Sequence, residues 1–200
     1  MTVFSFHPAK NITTGEGGMV TTSSPELAER LRLLRNLAFQ KPRFFHEHAG
    51  FNFRMTGYQA AMGRAQLAKI DQIIAEKRRV AQAYNALLKE VPGVQTPSEE
   101  EWARHVYWMY SIVLTEDFPL TRDELMDALS VRGIESRTFF CPMSRQPFLQ
   151  RQPGFRPVEC PVGDRLWETG MYVPSSITLK EEAIRFVVDS ISAVAAAPAA

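Results

Sequence analysis

The stretch Phe4–Val20, FSFHPAKNITTGEGGMV, places one lysine between two segments that favour β-structure. Val3–Phe6 is predicted to be a short buried strand and Met19–Thr22 a second strand, because β-branched and aromatic residues are enriched in strands. The polar loop between them contains Lys10 and then three glycines within four residues, which is typical of a tight return with close backbone approach. The stretch therefore predicts a hairpin with a long loop that presents Lys10.

The position of Lys10 favours nucleophilic chemistry by its side-chain amine. An amine at the mouth of a buried hairpin is partly desolvated, and desolvation lowers a lysine pKa towards the range in which the free amine attacks a carbonyl. Lys10 is therefore a candidate for Schiff-base formation. The alternative is an ordinary solvated surface charge, which is the commoner state of a lysine in a loop.

The composition of the 200 residues argues against several classes of protein. With 45% hydrophobic and 22% charged residues, the chain can form a sizeable core. The net charge is +1 and the basic residues are scattered, so neither a nucleic-acid partner nor a membrane partner is expected. The sequence has no apolar run of membrane-spanning length and no secretory pattern at its start, so a cytoplasmic location is expected.

The segment Phe39–Phe53 is aromatic, basic and rich in histidine, without helical periodicity. Such a loop is expected to be functional or packed beneath another element. The pair His46 and His48 suggests a metal site, but Glu47 is the nearby carboxylate and the spacing matches no zinc motif. No metal site is predicted.

The remaining periodicity predicts alternating helices and strands. An amphipathic helix is expected from Ser24-Pro25 to Ala38, and a long helix from about Thr56 through Glu90 with a solvated face that includes Lys77, Arg78 and Arg79. Further expected elements are a strand at Val106–Leu114, a helix between the Thr121–Glu124 capping box and Gly133, a strand at Ile134–Phe140, and a closing helix from Thr178 or Leu179 to about Val194, followed by a frayed Ala/Pro tail.

The string Ser5–Gly18 resembles the lysine loop of the DegT/DnrJ/EryC1/StrS family of sugar aminotransferases, which use pyridoxal phosphate (PLP). The resemblance implies that Lys10 forms the Schiff base with the cofactor and that Ser5 contacts the cofactor phosphate. A family branch with histidine in place of the lysine performs dehydration, so the lysine here favours transamination.

The segment Gly50–Gly63, GFNFRMTGYQAAMG, resembles a second motif of that family, Asn-x-Arg-Met-x-x-x-Gln-Ala-Ala. The resemblance implies that Asn52 crosses the interface of a homodimer to reach the cofactor phosphate of the other subunit. The alternative for Asn52 is an ordinary turn cap. Arg54 is a candidate for binding a substrate phosphate, and its alternative is an ordinary ion pair.

The fold implied by this resemblance is α/β, the C-terminal part of a PLP-dependent transferase of the aspartate aminotransferase fold (fold type I). Residues 1–75 then correspond to the C-terminal portion of the large PLP-binding domain, and residues 76–200 to a small α+β domain. The resemblance covers the C-terminal half of the family's chain. The sequence is therefore expected to be an incomplete fragment, inactive by itself.

The segments His105–Tyr110 and Arg137–Met143 resemble the perosamine synthase branch of the family. That branch moves an amino group, by family habit from glutamate, to a GDP-linked 4-keto-6-deoxy sugar for polysaccharide such as O-antigen. Arg137 is a candidate for binding a substrate phosphate, with a nearby acid as its alternative partner. Aromatic strands by themselves are more often core than ligand platform. Many relatives have a histidine where this chain has Met143–Pro147, which leaves the sugar nucleotide open.

Two other classes of function compete with this interpretation. The run Thr14–Gly18 suggests a nucleotide-binding module, although no Gly-Lys-Ser/Thr sequence is present and no helix opens directly after the glycines. The other alternative is a non-enzymatic PLP-binding, regulatory or interaction protein derived from the same fold.

Overall fold

The computed structural model describes residues 1–196 and divides the chain into two compact units. The first unit is Met1–Ile73 and the second begins at Ile74. The division falls within one helix, Ile70–Leu88. Most of the Ala/Pro tail predicted to fray, residues 197–200, lies outside the described residues. Both units combine helices with antiparallel sheet, within an α/β fold.

The first unit opens with the predicted hairpin. Strands β1 (Thr2–Ser5) and β2 (Gly18–Thr21) are antiparallel, with Val3 opposite Val20 and Ser5 opposite Gly18. The prediction that the first strand is buried is wrong, because every residue of both strands is exposed and Val3 is 68% exposed. No third strand joins this sheet within residues 1–196, and a two-stranded ribbon covers little of its own apolar surface.

Helix α1 (Pro25–Arg35) begins as predicted, with the Ser24 hydroxyl accepting a hydrogen bond from the Leu27 N–H at 3.2 Å. The prediction that this helix continues to Ala38 is wrong. Leu37 and Ala38 have φ values of 61° and 51°, which is left-handed backbone. The Leu37 N–H instead donates to the Phe51 carbonyl at 2.9 Å, so the chain leaves the helix to pair with a later segment.

The long helix predicted from Thr56 to Glu90 is two helices. Helix α2 (Gly57–Leu67) has the predicted N-cap at Thr56, completed as a capping box by Gln59. Helix α3 (Ile70–Leu88) follows after Ala68 and Lys69. The Lys69 N–H donates to the Gln66 carbonyl three residues back, at 2.9 Å. The final turn of α2 is thus tightened, which separates the two helices.

The second unit is a four-stranded antiparallel sheet with helices packed around a core. The strand order is β3 (Val94–Gln95), β4 (Tyr110–Leu114), β6 (Gly170–Val173) and β5 (Arg137–Thr138). The helices are α4 (Arg122–Val131), α5 (Pro147–Gln150), α6 (Pro161–Thr169) and α7 (Glu181–Ala195), with a 3₁₀ turn at Met143–Arg145. The core includes the fully buried side chains of Tyr84, Tyr110, Ile112, Leu125, Met171 and Ile184.

The predicted ends of helix α4 in the second unit are confirmed. The capping box of Thr121 and Glu124 is present, and Gly133 follows α4 with a φ of 76°. The two predicted strands are shorter than expected, at Tyr110–Leu114 and Arg137–Thr138. Tyr107 has a φ of 42°, which no extended strand can accommodate. The closing helix begins at Glu181, slightly later than predicted.

Candidate functional site

The loop that carries Lys10 begins with a tight turn. The Lys10 N–H donates to the His7 carbonyl at 2.9 Å, with Pro8 at the second position of the turn, where proline's fixed φ is favourable. The His7 Nδ1 accepts from the Ala9 N–H at 3.2 Å. The Lys10 side chain is half-buried. The sequence HPAK therefore fixes the backbone from which the amine extends.

Backbone and hydroxyl hydrogen bonds close the rest of this loop on itself. The Phe6 N–H donates to the Gly17 carbonyl at 2.9 Å, and the Phe6 carbonyl accepts from the Thr14 N–H and the Thr13 hydroxyl. The buried Thr14 hydroxyl donates to the Glu16 carbonyl at 2.7 Å. The loop is thus a closed unit between β1 and β2.

The glycines of this loop serve its own closure. Gly17 has a φ of 142°, and a Cβ there would lie 2.8 Å from the Thr14 hydroxyl oxygen. A Cβ on Gly18 would lie 2.8 Å from the Phe4 carbonyl oxygen. The close approach predicted from the glycines is therefore an approach to the protein's own atoms, which argues against the nucleotide-binding alternative.

Helix α2 fixes the loop from one side. The Gln66 amide accepts from the Thr13 N–H at 3.0 Å and donates to the Thr13 carbonyl at 2.6 Å. The Gln59 amide donates to the Glu16 carbonyl at 3.0 Å. A Cβ on Gly63 would lie 2.9 Å from the Thr14 methyl group. Sequence reasoning missed both glutamines as loop contacts, although Gln59 stands within the motif quoted above.

Ser5 lies at the end of β1, opposite Gly18. Its hydroxyl oxygen accepts from the His7 N–H at 3.3 Å. The residue is exposed, and this contact uses the oxygen only as an acceptor. The hydroxyl hydrogen is therefore available to an anion, and the contact of Ser5 with a phosphate stays a prediction.

The structure brings together Asn52 and Arg54, two of the predicted site residues. The Arg54 Nε donates to the Asn52 Oδ1 at 2.9 Å, and its Nη1 donates to the Asn36 Oδ1 at 3.4 Å. Asn36 and Asn52 also form an isolated antiparallel bridge. Within residues 1–196 Arg54 pairs with no carboxylate, so the ion-pair alternative is not observed there, and its charge stays available.

The aromatic loop before Asn52 exposes its rings. Phe51 and Phe53 stack with centroids 4.9 Å apart, and Phe44 and Phe53 are each 71% exposed. Gly50 lies so close to the backbone of Leu37 and Ala38 that no side chain fits. The loop was expected to be functional or packed beneath another element. Within the first unit, no element covers these rings.

Arg137 lies in the second unit beside a cleft of about 210 Å³. Its guanidinium donates to the Glu135 carboxylate at 2.9 and 3.3 Å. The alternative predicted for Arg137, pairing with a nearby acid, is therefore observed. Both side chains are well exposed, and an exposed pair of this kind is weak. Arg137 thus stays accessible to an anionic ligand in the cleft.

Two side chains predicted to be solvated instead hold the segment that leads into β4. The Lys77 Nζ donates to the carbonyls of Trp108 and Ser175 at 3.0 and 2.8 Å, and burial lowers the pKa of Lys77. Arg78 binds the Glu99 carboxylate through both terminal nitrogens and donates to the His105 carbonyl at 2.8 Å. The expectation of a solvated face is wrong for these residues.

The Arg78–Glu99 pair also determines the ionisation of Glu99. Hydrogen bonds from the Arg78 guanidinium and from the His105 N–H lower the pKa of Glu99 to about 2. The Tyr107 N–H donates to the His105 Nδ1 at 2.8 Å, and the two rings stack with centroids 4.0 Å apart. The left-handed backbone of Tyr107 is therefore held by surrounding contacts, as such backbone requires.

Residues 1–196 contain no group of three or more His, Cys, Asp or Glu side chains arranged to hold a metal ion. None of their helices combines the length and apolarity needed to cross a membrane.

Sequence and structure comparisons identify the family. Residues 1–192 match the DegT/DnrJ/EryC1/StrS aminotransferase family. The chain belongs to this family. GDP-perosamine synthase of Caulobacter vibrioides is 43% identical over 146 residues, covering 72% of this chain and 39% of that protein. GDP-perosamine synthase of Escherichia coli O157:H7 is 34% identical over 193 residues, covering 96% of this chain and 51% of that protein.

Family membership agrees with the solved structures that share the fold. The crystal structure of S. venezuelae DesV in complex with a ketimine intermediate superposes with a TM-score of 0.84 and 29% identity. The superposition covers 98% of this chain and 52% of DesV. The chain thus spans about half the length, or less, of the relatives it matches.

Proposed function

We propose that the whole protein is a PLP-dependent aminotransferase that moves an amino group from an amino acid, glutamate, to a GDP-linked 4-keto-6-deoxy sugar. The observation that carries this proposal is that Lys10 lies on a closed loop whose backbone is hydrogen-bonded to Gln66 of α2. The chain also belongs to a sugar aminotransferase family. The two relatives named GDP-perosamine synthase support the sugar nucleotide. We assign the reaction to cytoplasmic polysaccharide biosynthesis, such as that of O-antigen, without a nucleic-acid or membrane partner.

The residues of the first unit fit PLP by their donor chemistry. The cofactor requires a primary amine for its aldehyde and hydrogen-bond donors for its phosphate. Lys10 would hold it covalently through Nζ, and the Ser5 hydroxyl would donate to its phosphate. Asn52 would donate to the phosphate from a second copy of the chain. Its Oδ1 is occupied by Arg54, which orients the amide nitrogen as the donor.

When bound, PLP supplies an electron sink for the negative charge that develops on the amino donor's Cα. Lys10 Nζ would act as the general base that takes the proton from the donor Cα. In the second half-reaction the same Nζ would deliver a proton to the sugar carbon that receives the amine. Because one amine performs both transfers, the loop must hold Nζ in place, and its contacts with α2 supply that rigidity.

The proposed assembly is a homodimer in which two subunits complete each site. The first unit exposes Phe44, Phe45, Phe51 and Phe53 close in sequence to Asn52. A cluster of exposed rings is typical of a surface that another protein covers. A twofold pairing would bring the same surface of both copies together. We also assign Arg54 and Arg137 to substrate binding, as cations for phosphate or carboxylate groups.

The experiment that tests this proposal is borohydride trapping of PLP on the purified chain. Reduction fixes an amine-linked cofactor, and peptide mass spectrometry then locates it. We expect the adduct on Lys10. The Lys10→Ala variant should lose it, whereas Lys89→Ala, which removes an exposed lysine of the second unit, should retain it. Labelling of other lysines in preference to Lys10 would contradict the proposal.

A second function, a non-enzymatic PLP-binding or regulatory protein of the same fold, makes a different prediction. The chain would then carry PLP on Lys10, but the whole protein would not transfer nitrogen from glutamate to a keto-sugar nucleotide. Formation of 2-oxoglutarate in the presence of the sugar nucleotide separates the two functions.

A further inference from the structure

His7 lies between Ser5 and Lys10, the two residues of the loop that are assigned to the cofactor. The His7 N–H donates to the Ser5 hydroxyl oxygen at 3.3 Å. The His7 carbonyl accepts from the Lys10 N–H at 2.9 Å. The side chain takes part as well, since His7 Nδ1 accepts from the Ala9 N–H at 3.2 Å. One residue therefore connects Ser5 with the turn that carries Lys10.

The contact between the His7 ring and Ala9 is one that asparagine or aspartate commonly makes. Residues 7–10 form the turn that is closed by the Lys10 N–H. Asn and Asp are favoured at the first position of such turns, because their side chains accept from the N–H two residues later. In this chain the His7 imidazole makes that contact. The side chain thus restrains the turn in addition to the backbone hydrogen bond.

The same contact determines where the proton of the neutral His7 ring lies. A backbone N–H only donates, so Nδ1, which faces Ala9, is the unprotonated nitrogen and Nε2 carries the hydrogen. When the ring gains a second proton, Nδ1 becomes a donor and can no longer accept from the Ala9 N–H. The contact therefore exists only while the ring is neutral. Histidine is the side chain that ordinarily changes charge near neutral pH.

The neutral ring suits a turn that presents an amine. Besides His7, the loop between β1 and β2 carries the ionisable residues Lys10 and Glu16, and α2, which is hydrogen-bonded to the loop, carries Tyr58 and Arg64. The sequences of β1 and β2 contain no ionisable side chain. An aspartate at position 7 could make the same turn contact, but its charge would favour the ammonium form of Lys10. The imidazole supplies the acceptor without that charge.

We propose that His7 is a positioning residue for Lys10, whose neutral ring fixes the turn from which the lysine reaches the aldehyde of PLP. The assignment rests on the proposed function, since it concerns the attachment of the cofactor to Lys10. A turn that is ordered before PLP arrives loses less conformational entropy when the bond forms. Protonation of the ring should release the Ala9 N–H and leave the turn closed by its backbone hydrogen bond alone.

The first test is NMR of the full chain without PLP, which follows the Ala9 amide between about pH 8 and pH 5, where histidine changes charge. In the wild type the signal should move as His7 gains a proton and the acceptor is lost. His7→Asn should abolish this movement, because asparagine Oδ1 is attached to Cγ as histidine Nδ1 is and accepts throughout this range. His7→Phe keeps a planar ring without an acceptor, so its Ala9 amide should exchange about 2- to 12-fold faster at neutral pH.

The second test is the rate at which PLP becomes attached to Lys10, measured by borohydride trapping at timed intervals. His7→Phe should slow attachment about 2- to 12-fold, and His7→Asn should keep the wild-type rate. Rescue by asparagine, which has no ring, is not expected of a residue that only fills space. The matched control is His48→Phe, which changes an exposed histidine of the same unit and should leave the rate unchanged.

Two results would overturn the assignment of His7 alone. One is an Ala9 amide that responds to pH equally in the wild type and in His7→Asn. The other is attachment of PLP to Lys10 at the wild-type rate in His7→Phe. A result of a different kind, no trapping of PLP on Lys10 in the wild type or in any variant, would remove the proposed function and with it the role of His7 in cofactor attachment.

Discussion

The side-chain amide of Gln66 binds both the N–H and the carbonyl of Thr13, at 3.0 and 2.6 Å. The two residues are 53 positions apart in the sequence. Three residues after Lys10, the loop is therefore attached to a helix formed much later in the chain. The position of the Lys10 backbone depends on α2 as well as on the two strands.

Replacing Gln66 by leucine should loosen the Lys10 loop. The leucine fills a similar volume but leaves the Thr13 N–H and carbonyl without these partners, at a cost of about 1–3 kcal/mol. We expect the Thr13 amide to exchange its hydrogen at least about tenfold faster in hydrogen exchange measured by NMR. Gln72→Leu, at an exposed position of α3, is the control. Unchanged exchange at Thr13 in Gln66→Leu would show that the loop is held by its own contacts.

Alanine substitutions at two glycines of the second unit should distinguish the cost of backbone strain from the cost of steric overlap. Gly93 and Gly133 have φ values of 77° and 76°, but a Cβ on Gly93 would overlap the Phe118 backbone while Gly133 faces open space. Gly133→Ala should lower the free energy of unfolding by about 1 kcal/mol from left-handed strain. Gly93→Ala should lower it by a further ~1–3 kcal/mol from overpacking. Urea denaturation measures both, and equal losses would mean that Phe118 moves aside freely.

Because of the Arg78–Glu99 pair, the free energy of unfolding should fall as the pH is lowered into the acid range. The Glu99 pKa is about 2 in the folded chain against an ordinary value of 4.5. A lowered carboxyl pKa contributes stability that is fully present above about 4.5 and is lost as the pH falls towards 2. Glu99→Gln should therefore be less stable than the wild type at pH 7, with the difference shrinking below pH 4.5.

Thermal unfolding of the wild type and Glu99→Gln between pH 7 and 3 checks this prediction. Glu100→Gln changes the neighbouring exposed carboxyl, which forms no ion pair within residues 1–196. That control should follow the wild type at every pH. A difference between Glu99→Gln and the wild type that does not vary with pH would show that the folded pKa is not lowered.

Subunit mixing tests the proposed contribution of Asn52 to the partner's site. In the whole protein, Lys10→Ala and Asn52→Ala homodimers should each have little transaminase activity. Random mixing makes half of the dimers mixed, and each of these has one intact site, so about a quarter of wild-type activity should return. If mixed dimers form and no activity returns, Asn52 does not act across the interface.

The two units should differ in protection from hydrogen exchange. Strands β1 and β2 expose every residue, whereas β4 alternates buried with half-buried residues and β6 buries all of its residues except Tyr172. Amides of Thr2–Ser5 should therefore exchange faster than those of Tyr110–Leu114 in the isolated chain. Mass spectrometry after timed exchange measures this difference. Uniform protection would mean that the hairpin is covered by something other than the contacts described here.

Features set by neighbouring residues could be predicted from the sequence. Ser24, Thr56 and Thr121 cap helices as expected, because a cap depends on a hydroxyl and a backbone N–H two or three residues away. Neither Gly nor Pro marks the break after Leu67, so the sequence predicts one continuous helix there. The solvated positions that it predicts for Lys77 and Arg78 are wrong because the backbone acceptors of these side chains lie 27 to 98 residues away in the sequence.

In the candidate site, too, features within one contiguous motif could be predicted, whereas contacts between distant segments could not. Lys10, Ser5, Asn52 and Arg54 could be proposed from motifs, because those motifs are contiguous in sequence. The contact of Arg54 with Asn52 and Asn36 required the fold, since Asn36 belongs to a different segment.

The Thr14 methyl group packs directly against Gly63. A Cβ at position 63 would lie only 2.9 Å from that methyl. Neither position can enlarge independently of the other. Across homologous sequences the two should therefore covary, with alanine at 63 accompanied by serine at 14, which keeps the hydroxyl bond to Glu16 and removes the methyl. The residues found at positions 14 and 63 in homologues would therefore show how far substitutions in the lysine loop and in α2 depend on one another.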